Sequence, residues 1–403
     1  MKSVGLICCL LVSGVLHAQD LPAYIREARE NNPELQAFEL RYQIAEEKTR
    51  EADRIPSTEI SAGVFVSEPE TRTGAQKARF SVRQMLPWFG TLSSRQEYAT
   101  ALAESEYMEY VIAGRKLALQ VTQTYYGLYA LRAKQEVLEE NIALLQTYEQ
   151  LALTSVEVNQ ASAVDVLRLQ IRQNELQQQR EILQQEFLAA QAAFNGLLNR
   201  ETAREVVVLS GVTVPESDPD TGDSLQLNPE LLRYDKLYES VTRAEILNQK
   251  EGAPTLGFGL DYIPVAERPG LDFSDNGKDI LMPMVSLNIP IFNNRYDSRT
   301  KQNELRQREL ETLKQERLNV LETALARAKA GRNNARIRYR TQDNNLKQAR
   351  DAEQILLRNY ETGTIDFSDV LEIQELQLKF LVDKVEATRM YYEQTALIKY
   401  ITE

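Results

Sequence analysis

The chain is written twice. Asn32-Pro33-Glu34-Leu35 returns as Asn228-Pro229-Glu230-Leu231, Pro56 as Pro254, Leu86-Pro87-Trp88-Phe89 as Ile289-Pro290-Ile291-Phe292, and the segment 156–167 as 360–371. The offsets are 196, 198, 203 and 204, rising in steps as loops lengthen, whereas chance would scatter them. A tandem duplication constrains the fold more than any other feature, because the architecture has to be assembled from two copies of one plan. The copies read as residues 19–199 and 228–403, joined by a linker at 200–227.

Each copy has the same internal order. A helix opens it, over 21–53 in the first and 228–250 in the second, and two short alternating segments follow. Proline then vanishes, with none between Pro87 and Pro215 and none after Pro290. Those stretches are rich in Gln, Glu, Leu, Ala and Arg, all good helix formers. A turn interrupts each one. Gly363, and at modest cost Asn159, can take the left-handed conformation that ends a helix. Ser162 and Asp366 then read as N-caps, each followed three residues later by an acid, Asp165 or Asp369. Each copy thus holds a helical hairpin of about 65 residues out and about 40 back, the longer arm on the order of 100 Å. Leu169, Leu176, Leu183, Ala190 and Leu197 mark a seven-residue seam on one returning arm. Ile373, Phe380, Ala387 and Ile401 mark a looser one on the other, so helix packs on helix with supercoiling.

The alternating segments, 58–66, 78–86, 255–263 and 284–289, read as strands. Arg79, Ser81 and Arg83 alternate with Phe80 and Val82, and Asp261 lies between Leu260 and Tyr262. Val285, Leu287 and Ile289 share an apolar side. About nine residues is the length of a tilted membrane-spanning strand. Four such strands among long helices find no soluble core, and about eight are needed to close a barrel, so several copies of the chain must share one. The connectors 67–77 and 264–279 then become loops. Pro87 and Pro290 sit where strand gives way to helix, and Trp88, the only tryptophan, lies beside Pro87 at the level of a membrane interface.

Composition removes most chemistry. Lys plus Arg is 47 against 59 for Asp plus Glu, a net charge of −12 that argues against nucleic acid as a partner. Lys2, the apolar run 5–15 and Leu16-His17-Ala18 read as a secretory signal over 1–18. The single histidine, His17, and the only cysteines, Cys8 and Cys9, fall inside it. The rest of the chain therefore offers no disulfide, no zinc, haem or blue-copper ligand set and no histidine-based triad. It also lacks a glycine-rich phosphate loop, so only carboxylate-pair hydrolysis stays formally open. The expectation is a protein that is not an enzyme and takes no cofactor or metal.

Two repeats, paired strands, long hairpins and the turn Y-x-x-G-x-x-x-x-x-D-V-L at 360–371 resemble the TolC-like outer membrane factor family. The resemblance implies an α+β membrane protein and a homotrimer. Three chains would share a twelve-stranded β-barrel in the outer membrane, continuous with a barrel of helical hairpins that tunnels across the periplasm. It also implies a passive exit duct for an inner-membrane pump in a tripartite efflux or secretion system, joined through a periplasmic adaptor (membrane fusion) protein. Two departures stand out. Cys8 and Cys9 come too early for the lipidated N-terminal cysteine of many metal-efflux relatives, and the short linker leaves room only for a small domain at the tunnel's waist.

Residue matching to the family assigns Asp369 and Glu372 to the pore gate, one helical turn apart, where three copies would form two carboxylate rings that favour cations. Asp369 equally fits the third position of a capping box, as does its first-copy counterpart Asp165. The counterpart of Glu372 is Arg168, so the first copy cannot repeat the ring; a salt bridge from Arg168 to a neighbouring acid would lock the closed tip. Asn159, Ser162, Gly363, Thr364, Ile365, Asp366 and Phe367 would form the tip that meets the adaptor, with Phe367 either exposed to it or tucked against the neighbouring helix. Arg79, Ser81, Arg83 and Asp261 would line the barrel lumen, the opposite face meeting outer membrane lipid. Two rival readings are the periplasmic adaptor itself and a soluble coiled-coil scaffold. The first should carry a single hairpin, and the second would make the strands incidental. The cargo is not legible.

Overall fold

A computed structural model of the chain describes residues 21–157, 162–218, 225–291, 293–362 and 364–403. The expected signal at 1–18, Asn159 and Gly363 lie outside the described residues. In each copy a helix starts at the repeated Asn-Pro-Glu-Leu, and the structure gives that motif a job. Asn32 Oδ1 accepts from the Leu35 backbone N–H at 3.1 Å, and Asn228 Oδ1 accepts from that of Glu230 at 2.9 Å. Proline follows in both places, where its missing N–H costs nothing. The expected single helix over 21–53 is therefore two, α1 (Leu21–Asn31) and α2 (Pro33–Ala52), because Asn32 caps a new start. In the second copy α5 (Pro229–Glu251) has no helix immediately before it among the described residues.

The hairpins form as expected. In the first, α3 (Thr91–Glu157) runs 67 residues out and α4 (Ala163–Leu197) 35 back. In the second, α6 (Arg295–Glu361) has 67 residues and α7 (Phe367–Thr402) has 36. No helix of the described residues is long and apolar enough to cross a membrane.

The chain packs as two units. Of the described residues, the first comprises those in 21–35, 114–218 and 323–403; the second comprises those in 36–113 and 225–322. In the first unit Leu145, Ala152, Leu169, Leu176, Phe367, Val370 and Leu378 form a buried core, each large apolar side chain contributing about 1.5–3 kcal/mol. Leu169 and Leu176 of the expected seam are fully covered, whereas Leu183, Ala190 and Leu197 are half-buried. In α7, Ala387 and Ile401 are buried, and Ile373 and Phe380 half-buried. A second apolar set on α4 (Leu167, Ile171, Ile182) stays exposed.

The linker after α4 is extended and strapped onto this unit by tyrosines. Tyr24 bonds both the N–H and the carbonyl of Val207, at 3.1 and 3.2 Å. Tyr125 Oη accepts from Leu209 N–H, and Tyr129 and Tyr392 donate to the carbonyls of Val212 and Thr213. Asp218 accepts from Tyr391 at 2.9 Å and pairs with Arg336 and with Arg332. The clasp answers backbone groups that no strand or helix would otherwise satisfy.

The second unit carries the strands β1 (Glu59–Val64), β2 (Glu70–Thr71), β3 (Gly74–Gln76), β4 (Ala78–Leu86), β5 (Thr255–Ile263), β6 (Val265–Ala266) and β7 (Ile280–Asn288). The main sheet is antiparallel in the order β1-β4-β5-β7, so the two copies of the repeat meet at β4 and β5. β4 and β5 match their expected bounds. β1 is shorter than 58–66, and β7 begins at Ile280 instead of Met284 because Pro283 does not end it. Proline is tolerated on an edge strand, which is where β7 lies.

The expected loops 67–77 and 264–279 are not wholly irregular. They contribute a three-stranded sheet, β2-β3-β6. Gly74 makes it possible, with φ +133° and a backbone so near β6 that a Cβ would fall 1.8 Å from the Ala266 carbonyl oxygen.

Candidate functional site

Alternation along the main sheet sorts its side chains into two faces, and the register keeps them sorted across all four strands. One cross-strand row is Ile60, Val82, Leu260 and Pro283; the next on the other face is Ser61, Ser81, Asp261 and Met282. The apolar face is open. Ile60, Val64, Leu281 and Val285 are each more than 60% exposed, and Phe80, Phe258 and Tyr262 are over 40%. Phe80 stacks on Tyr262, ring centroids 6.4 Å apart. A soluble sheet would bury such a face; here burial falls on the opposite face instead, at Ser81, Gly257, Asp261 and Ile263 of the two central strands, while Ser61 and Met282 on the outer strands stay exposed.

The four residues expected on the polar face are together there. Ser81 lies directly opposite Asp261, and Arg79 and Arg83 flank Ser81 on β4. Asp261 is fully buried and Ser81 nearly so. Arg79 pairs with Asp261 through its Nη2, whereas Arg83, opposite Gly259, is exposed and outside any ion pair of the described residues. Met85, Met282 and Met284 share this face, a soft element the alternation could have disclosed.

The helical tips in the first unit form the second candidate site. Asp369 and Glu372 both lie exposed on the first turns of α7, and neither enters an ion pair among the described residues. Asp165 is half-buried. Its partner is Arg168 of the same helix at 3.8 Å, so the neighbouring acid that Arg168 meets within one chain is its own first-turn carboxylate. One turn further on, Arg172 of α4 bonds Glu175 of its own helix at 2.8 Å and also lies 3.6 Å from Glu375 of α7, one of the contacts between the two hairpins.

Capping differs between copies. Ser162 Oγ accepts from Val164 N–H at 3.1 Å, one residue short of the capping-box partner. Asp366 occupies the N-cap position of α7 without any side-chain cap bond. The preceding turn is closed by Thr364, whose N–H and hydroxyl both donate to the Asn359 carbonyl, at 3.0 and 2.8 Å.

Phe367 is not an exposed tip residue. It is fully buried, edge-on to Tyr360 and Tyr148 with centroids 4.9 and 5.9 Å away, because α7's first turn rolls its ring under the hairpin; Ile365 packs half-buried against the same core. Ser162, Thr364 and Asp366 remain exposed. Beneath Phe367 lies a polar network. Tyr148 donates to Glu353, Gln374 donates to Tyr148 Oη at 3.2 Å, and Gln377 donates to Glu353 at 2.8 Å. Burial, reinforced by the Glu353 carboxylate, pushes the Tyr148 hydroxyl's pKa well up and keeps it a donor. Hydrogen bonds from Gln170 and Gln173 hold the Glu149 carboxyl below its usual range.

No family model matches the sequence, and no curated protein is significantly similar to it. Solved structures are similar. The outer-membrane channel OprN superposes with a TM-score of 0.77 at 16% identity, over 95% of this chain and 89% of that one. CusC, in work on folding and transmembrane channel formation, gives 0.76 at 15%, over 94% and 91%. The outer membrane protein VceC of Vibrio cholerae gives 0.73 at 16%, over 95% of each chain. At such low identity the likeness is one of architecture, and the chain has the fold of TolC-like outer membrane factors.

Proposed function

We propose that the chain is the outer membrane exit duct of a tripartite efflux or secretion system, a passive conduit that reaches from the outer membrane into the periplasm. The observation that carries this reading is the inverted sheet: an open apolar face, a polar face holding the Arg79–Asp261 pair, and two outer strands, β1 and β7, each unpaired along one edge. Within one chain those edges are a liability; pairing β1 of one copy with β7 of the next removes them. Three copies give twelve strands, enough to close a barrel around a wet lumen. The exposed apolar residues Leu305, Leu313, Val320, Ile337 and Ile355 of α6, with Leu167 and Ile171 of α4, supply the helical counterpart of those edges. An inner-membrane pump supplies the free energy, and a periplasmic adaptor meets the tips at Ser162, Thr364 and Asp366. Asp369 and Glu372, exposed and unpaired, are the gate carboxylates.

The test is reconstitution. Detergent-purified protein should have the mass of three chains by native mass spectrometry and conduct in planar bilayers. A monomer that needs no detergent and carries no current would refute the reading.

A further inference from the structure

Where β4 gives way to α3, the second unit has an open cavity of about 310 Å³. Pro56, Leu86 and Trp88 line it on the apolar side, and Arg95, Lys250 and Arg295 supply cations. The charge is unbalanced. Glu251 is the carboxylate in the wall, and both its oxygens are engaged, Oε1 by Arg95 at 3.0 Å and Oε2 by Arg299 at 3.3 Å. Among the described residues no carboxylate lies within ion-pair distance of Lys250 or Arg295.

Two further features aim this excess at an anion. Gly90, at φ +81°, turns the chain into the first turn of α3, and a Cβ there would meet Lys250 Cε at 3.8 Å and Nζ at 3.9 Å. The ammonium group therefore stands at the N-terminus of a helix that has no acid in its first turn. That end carries a partial positive charge, with the Thr91 and Ser94 N–H groups taken by the Trp88 and Gly90 carbonyls at 3.0 Å. Thr91, the first helical residue, is 2% exposed and lines the cavity, and its Oγ1 has no hydrogen-bond partner. A buried hydroxyl left so calls for an occupant of the cavity, water or a ligand oxygen, to meet it.

We propose that this cavity binds a phosphate group, seated at the start of α3 between Lys250 and Arg295. Phosphate has the several acceptor oxygens needed to take helix N–H groups, a hydroxyl, a point-charge ammonium and a guanidinium fork together. A phospholipid headgroup fits the surroundings best, because Leu86 extends the open apolar face of the sheet to the cavity's wall. Inorganic phosphate offers the same chemistry without the acyl chains. The site does not depend on the chain being a conduit.

Trp88, the only tryptophan, is a built-in reporter. The full chain in non-ionic detergent and phosphate-free buffer would be titrated with inorganic phosphate in one arm and with dihexanoyl phosphatidylglycerol below its micellar concentration in the other. We expect a saturable change in Trp88 emission that weakens at least tenfold in the Lys250→Gln, Arg295→Gln double variant, weakens in Thr91→Val, and survives in Lys250→Arg. Saturation by the lipid alone assigns a headgroup; equal saturation in both arms assigns free phosphate. No saturable change in either arm, or an unaltered one in a double variant of native far-UV circular dichroism, overturns the site. Bilayer conductance of the same samples judges the conduit reading separately.

Discussion

Asp261 places a carboxyl at a fully buried position of the sheet, and Arg79 on the neighbouring strand answers it. Asp261→Asn leaves that guanidinium without its partner. It should lower the stability by less than the loss of a fully buried pair would, because the Arg79 side chain is 41% exposed, a difference read by thermal unfolding. The same variant should shift the reversal potential in a salt gradient toward anions, and Arg83→Gln should shift it toward cations. Phe367 tests the tip at the same scale. A ring packed against Tyr148 and Tyr360 predicts a loss of about 3–5 kcal/mol in Phe367→Ala, measured by thermal or denaturant unfolding, where an exposed docking residue would cost almost nothing. The sequence left both environments of Phe367 open because a turn residue's burial depends on how the adjoining helix is rotated. The pairing of Ser81 with Asp261 was equally hidden, since it joins residues from different repeats.

At the scale of elements, the sheet's sidedness was legible in the alternation of 78–86 and 255–263, and the strand bounds there agreed to the residue. The segment 284–289 was shorter than β7, which runs through Pro283; its place at an edge, where proline is tolerated, is a property of strand order that no single strand encodes. An arginine at Val285, on the open apolar face, should cost about 2–4 kcal/mol near the middle of a bilayer and sharply reduce the membrane-integrated fraction. An arginine at Ser61, on the other face, should leave that fraction close to wild type.

The linker makes a separate prediction from acid titration. Burial alone would raise the Asp218 pKa, but hydrogen bonds from Arg336 and Tyr391 and the charge of Arg332 outweigh it and hold it below the usual 3.8. A depressed carboxylate contributes stability above its unfolded pKa and loses it as pH falls through the folded value. The melting-temperature gap between wild type and Asp218→Asn should therefore hold from pH 8 to about 5 and close only below about 3.8. Arginines four apart on α6, at 332, 336 and 340, were the readable hint of this clasp, although nothing local named Asp218 as their target.

For the whole molecule, the proposed duct would be closed at the tips, and this is open to test. Arg168 spends its charge within α4, so Arg168→Glu should leave the resting conductance near the wild-type value. Arg172→Glu breaks the bridge between hairpins to Glu375 and should raise the closed-state leak several-fold in planar bilayers, a rise that Glu375→Arg in the same chain should reverse. Sequence alone determined the duplication, the two hairpins, the strand faces and the absence of histidine and cysteine beyond residue 17, because periodicity, proline placement and residue chemistry are local properties of the chain. Only the tertiary structure decided that Asn32 starts a second helix, that Phe367 is core, that Arg172 reaches Glu375 of the other hairpin, and that Lys250 stands over the start of α3. Each of these depends on which side chains distant in sequence come within a few ångströms, a matter settled by helix rotation and strand order.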